Sequence, residues 1–154
     1  MGIASIAFLL LFGSYGFFPD SAYDSEALQP VADVTGVAFP KNTKAALSVY
    51  GDYTLCKGMI SVPERADFVQ QVRGSENWTT KLDPVIKRLM PTMVIPELES
   101  SLQASYDVFL FRNLESGDYN TLPEKYKETP CVLIAYDYES GRFMIVKDYT
   151  INFA

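Results

Sequence analysis

The chain has 154 residues, 48% of them apolar and 21% charged, with a formal net charge of −6 and no histidine. Its length and apolar share suit one domain with a packed core and exclude a globally disordered chain. Without histidine, Ser-His-Asp and Cys-His catalysis and histidine-held zinc or iron sites are excluded. The acidic balance, with Lys87-Arg88 the only adjacent basic pair, argues against nucleic acid and anionic membranes as partners.

Residues 1–19 carry no charged side chain, and Ile3 to Phe12 form an apolar run. Such a run, followed by the small residues Ser14 and Gly16, reads as a signal peptide cleaved after Gly16. The alternatives are cleavage after Ala22, an uncleaved membrane anchor, or a buried first element. The leader reading makes 1–16 a signal peptide and the protein secreted and extracellular, with no membrane association once the leader is removed. Residues 17–40 then form an acidic, extended N-terminal arm holding Asp20, Asp24, Glu26 and Asp33, with one short strand at Val34 to Phe39. Residues 41–154 form a single domain.

Within that domain, Lys44 to Lys57 leans to a helix, because Ala46, Val49, Tyr50, Tyr53 and Cys56 recur at helical spacing. Gly51-Asp52 in its middle would equally suit a turn between two strands. Ser61-Val62-Pro63-Glu64 has the pattern of a capping box with proline in the first turn. Ala66, Val69 and Val72 continue it as a helix, and Gly74 is a stop. Asp83-Pro84 and Pro96 open two further helices, so 61–105 reads as three short helices punctuated by prolines. Tyr106 to Asn113 is a strand apolar on both faces, Glu115 to Asn120 a turn, and Pro123 to Glu128 one helical turn. Cys131 to Tyr138 and Arg142 to Phe153, joined through Glu139-Ser140-Gly141, make a hairpin. In its second strand Phe143, Ile145, Tyr149, Ile151 and Phe153 alternate onto one face. The fold class is therefore α+β: short proline-punctuated helices, then an antiparallel sheet ending in a C-terminal hairpin.

The chain's two cysteines, Cys56 and Cys131, are expected to pair in an oxidising compartment. The loop closed, about 76 residues, would be worth roughly 4–5 kcal/mol in the chain-entropy account. Asn77-Trp78-Thr79 is an N-glycosylation acceptor around the single tryptophan.

Gln70-Gln71-Val72-Arg73-Gly74 contains a Q-x-V-x-G string that resembles the protease-blocking wedge of cystatins. The resemblance implies a secreted inhibitor of cysteine proteases with that string on a hairpin loop. The periodicity of the same residues places it at the end of a helix, and the Pro-Trp pair of the family's second wedge is missing. The conformation of Gln70 to Gly74 decides between the two.

No metal-ligand or phosphate-loop pattern is present, and no cofactor is expected. Carboxylates such as Glu97, Glu99, Asp118, Glu124, Glu128, Asp137 and Glu139 could in principle support glycosidase chemistry, but nothing singles out a pair. The chain is read as a non-enzymatic, monomeric binding protein. Ten Tyr and ten Phe suit either a carrier of a small apolar ligand or an extracellular protein–protein interaction module. The carrier reading places Phe109, Phe111, Tyr136, Phe143, Ile145 and Tyr149 around the ligand.

Overall fold

The computed structural model describes residues 22–23, 28–50, 53–84, 86, 106–121 and 130–150. The described elements are, in chain order, β1 (Ala22–Tyr23), α1 (Gln29–Thr35), β2 (Lys44–Tyr50), β3 (Tyr53–Met59), a 3₁₀ turn (Val62–Glu64) leading into α2 (Arg65–Arg73), β4 (Val108–Asn113), β5 (Pro130–Tyr136) and β6 (Arg142–Thr150). The strands form one antiparallel sheet in the order β1-β2-β3-β6-β5-β4. This is an α+β layout with the expected C-terminal hairpin, β5–β6.

Two expectations are corrected. Lys44 to Lys57 is not a helix but most of the β2–β3 hairpin, paired from Lys44↔Met59 to Tyr50↔Tyr53. The apolar residues that fit a helical repeat fit a strand pair once Gly51-Asp52 separates them. The stretch 29–35 is not extended: α1 starts with Pro30 in its first turn and ends at Gly36, whose φ of +72° is left-handed. Proline inside the start and glycine just past the end are the ordinary marks of a short helix. Of the three expected mid-chain helices, the first is α2. Pro84 and Ile86 are helical, while the remainder of the second, the third, and the 123–128 turn lie outside the described residues, as do the leader and residues 151–154.

α2 forms much as its sequence suggests, with one difference of detail. Ser61 does not cap a backbone N–H; its Oγ donates to Glu64 Oε2 at 2.6 Å, and Glu64 Oε1 also accepts from Asn42 Nδ2. Phe68 and Val72, one turn apart, are the buried face. The helix ends at Gly74, which stays right-handed and donates to Gln70 O.

Both helices contribute to the core on one face of the sheet. Leu28 and Val31 join Phe68 and Val72 against Ala45, Cys56, Val108, Leu110, Val132, Ile134, Tyr136, Phe143 and Ile145. By alternation, Leu55, Phe109, Phe111, Leu133, Ala135, Met144 and Val146 belong to the opposite face, and they too are buried. Strands apolar on both faces, β4 and β5 above all, therefore make up one side of a sheet buried on both faces, with β4 at its edge.

Candidate functional site

The residues expected to line a ligand site do not share one face. Tyr136, Phe143 and Ile145 lie on the α2 side, whereas Phe109 and Phe111 lie on the other. Tyr149 pairs with Cys131, beyond an irregularity between Cys131 and Leu133 where β6 carries an extra residue. The five whose burial is described are core residues. On the α2 side the rings are closely packed: Phe68 meets Tyr136 edge-on at 4.9 Å, and Phe39 sits 5.8 Å from Phe68 and 5.2 Å from Phe143. These separations are those of contacting aromatic pairs. Tyr136 is fully buried, and its hydroxyl has no hydrogen-bond partner. Burial pushes its pKa up.

The Q-x-V-x-G string is helical from Gln70 to Arg73. Val72 is in the core. Gln71 exchanges two hydrogen bonds with the backbone of Ala38, at 2.7 and 2.9 Å. The string thus holds the loop after α1 against α2 and is not displayed on a hairpin. Arg73 lies over the Tyr138 ring, 5.0 Å from its centroid.

Cys56 and Cys131 do not bridge. The physical reason is topological. Cys56 is on β3 and Cys131 on β5, with β6 between them, so two strand spacings of about 4.8 Å already exceed the reach of a disulfide. Cys56 shares the α2 face with Ile145 and Ile134, and Cys131 is displaced from Ile134 by an odd number of residues, onto the other face. Burial pushes both thiols up to about 12.

The loop carrying Asn77 is fixed to the sheet. Asn77 N–H donates to Ser75 Oγ, and its carbonyl accepts from Asn120 Nδ2 at 2.9 Å. Thr79 pairs with Phe109 through two backbone bonds of 2.8 Å. Asn120 and Asp118 serve Phe111 and Asn113 in the same way. The outer edge of β4 is therefore occupied by its own loops and is closed to strand addition. Behind that edge, Arg112 donates through Nη1 to the Val34 carbonyl and lies over Tyr119, whose hydroxyl donates to Thr35 O at 3.2 Å. Together they tie the carbonyl end of α1 to β4.

One surface was not legible in the sequence. At the end of the sheet the register sets Lys44, Met59 and Arg142 side by side across β2, β3 and β6. Directly paired residues share a face, and all three are exposed. Met59 is 48% exposed, and Val62, three residues on, is 71% exposed; they are the large apolar side chains that stand in solvent among the described residues. Lys57 lies on the same face one pleat inward, half-buried, and desolvation lowers its pKa. Tyr106, half-buried, senses Arg142: burial pushes its pKa up, and the Arg142 charge partly offsets that. Asp137 donates its N–H to the Arg142 carbonyl, but its carboxylate accepts from the Ser140 N–H and hydroxyl, which holds its pKa down. Among the described residues, Lys44, Lys57 and Arg142 have no carboxylate partner. The corner is thus an apolar centre between cations, on a chain whose net charge is −6. Its basic residues stand 13 and 85 positions apart along the chain (57 − 44 and 142 − 57), and only strand pairing gathers them.

No protein-family model, curated protein or solved structure matches the chain. Among the described residues no group of three or more acidic or cysteine side chains could hold a metal ion, and no helix is long and apolar enough to cross a membrane.

Proposed function

We propose that this protein is a non-enzymatic binding protein that works through an exposed surface, as an extracellular protein–protein interaction module. The observation that carries the reading is the Lys44–Met59–Arg142 row, an apolar side chain left in water between two cations that have no carboxylate partner among the described residues, Arg142 giving its Nε to the Ser140 hydroxyl. Exposed apolar residues with a charged rim are the makings of an interface core. The leader at Ile3 to Phe12 and the acceptor at Asn77 support secretion; a disulfide does not contribute to that support. The test is a photo-reactive residue placed at Val62 or, as a control, at exposed Ser116 in the secreted protein in its native setting. A discrete adduct from Val62 and none from Ser116 supports the reading; no adduct, or equal adducts, overturns it.

Carriage of a small apolar ligand is the second reading. It draws on the Tyr136 hydroxyl, which is buried among rings without a partner and would suit a ligand's polar atom. Native mass spectrometry of freshly purified protein separates the two. A retained small molecule favours carriage, and clean apo protein favours the surface.

A further inference from the structure

Resting on the surface reading above, we infer that the Lys44–Met59–Arg142 corner docks an extended acidic segment of a partner protein, with carboxylates on either side of an apolar side chain. Neighbouring strands lie about 4.8 Å apart, so the Lys44 and Arg142 backbones are roughly 10 Å apart with Met59 midway. In an extended peptide, residues on one side recur about every 6.6 Å. An acid-x-apolar-x-acid segment lying across the strands therefore sets its middle side chain on Met59. Its carboxylates come within reach of the long Lys44 and Arg142 side chains. Lys57, on the same face and half-buried, supplies a third positive charge on the inner side, where a charge-assisted hydrogen bond is less screened by water.

Three further observations favour this occupant. The segment lies across the face, since the β4 edge is already filled by Thr79, Asn120 and Asp118. Asp137, the carboxylate beside Arg142, is engaged by Ser140, and the Arg142 guanidinium gives its Nε to the Ser140 hydroxyl at 3.1 Å, which leaves its two Nη groups to a partner. A nucleic-acid backbone makes poor use of an exposed methionine at the centre of the patch, and the chain's net charge of −6 repels it at long range.

The test is a random linear peptide library displayed on phage, panned against the intact protein and counter-panned against a Lys44→Glu/Arg142→Glu variant. Enrichment of peptides with Asp or Glu on both sides of an apolar residue is expected. Their affinity should fall on the order of tenfold with each charge reversal and weaken with salt. The Lys44→Gln/Arg142→Gln variant, which keeps long polar side chains, should lose binding in the same order and guards against a folding artefact. Enriched peptides without acidic residues, displaced by Met59→Lys but indifferent to salt, would overturn the acidic partner and leave the surface reading standing. Peptides that bind every corner variant equally, or no enrichment at all, would overturn both. Competition by a single-stranded oligonucleotide as strong as by the peptides would reassign the corner to nucleic acid.

Discussion

Gly58 is where the core and the proposed corner meet, and Gly58→Ala is expected to cost about 1 kcal/mol net. The glycine lies on β3, opposite Ala45 and Phe143. A Cβ there would run into the Phe143 ring and would stand 2.6 Å from the Lys44 carbonyl oxygen. The ring could swing only by pushing into Phe39, 5.2 Å away between centroids. The carbonyl could move only by opening the β2–β3 ladder that begins at Lys44. Overpacking of this kind costs roughly 1–3 kcal/mol, against roughly 0.5–1 kcal/mol gained because alanine loses less backbone freedom than glycine. The remainder, about 1 kcal/mol, lowers Tm by about 2–4 °C in a chain of this size. Urea unfolding followed by tryptophan fluorescence should show a lower midpoint with an unchanged slope. Phe143→Leu in the same background should return part of the loss, because it removes the ring contact and leaves the carbonyl contact. A Gly58→Ala protein within about 0.5 kcal/mol of wild type, the level of an ordinary surface change, would refute the reasoning.

The remaining predictions concern charge and anchoring. Lys57 has a lowered folded pKa, so its charged form is disfavoured by folding; Lys57→Met should be more stable near neutral pH, with the advantage shrinking as pH rises through the depressed folded pKa toward the ordinary lysine range, which parallel urea titrations would show. Cys56 and Cys131 have folded pKa values raised by burial from 9.0 to about 12. Their contribution is therefore complete below pH 9.0 and lost as pH climbs toward 12. Neither should react with a thiol reagent at pH 8 until the protein unfolds, and rapid native labelling of either would contradict their placement. Arg112→Met leaves the Val34 carbonyl without its donor and removes the cation over Tyr119; a loss of about 1–3 kcal/mol is expected, with faster amide exchange confined first to residues 29–36. Expression through a secretory pathway should add a glycan that Asn77→Gln removes, read by intact mass.

What the sequence revealed depended on whether a pattern was local. The β5–β6 hairpin and α2 were legible because turn glycines, a proline in a first turn and apolar spacing all sit within a few residues of the structure they specify. Lys44 to Lys57 was ambiguous for a physical reason: Ala46, Val49, Tyr50 and Cys56 satisfy a 3.6-residue repeat and a two-strand pairing about equally well. The deciding contact, Met59 against Arg142, lies 83 residues away (142 − 59). The marks of α1, Pro30 and Gly36, are local as well, but they lie in an acidic stretch whose composition reads as extended. The cysteine expectation failed because pairing in space depends on strand order and face, neither of which follows from a count of two. The Q-x-V-x-G string is met in this fold by a helix whose Val72 is needed in the core and whose Gln71 is needed by Ala38.

Lys57 connects stability to the proposed surface. A half-buried ammonium without a carboxylate partner is a net cost to folding, as the direction of its pKa shift states. Its register partners are Ala46 and Met144, so a methionine or leucine at 57 would pack beside a fully buried methionine and remove that cost. The same argument does not apply to Lys44 or Arg142, whose exposed charges cost little. A position where an apolar residue would serve the fold better, beside an exposed methionine and two cations, is accounted for by a ligand that brings its own negative charge. Stability and affinity should then move in opposite directions at this site. Lys57→Met should raise the urea midpoint and weaken the acidic peptides, while Lys57→Arg should retain them. A Lys57→Met protein that is both more stable and unimpaired in binding would remove Lys57 from the site and confine recognition to the exposed row.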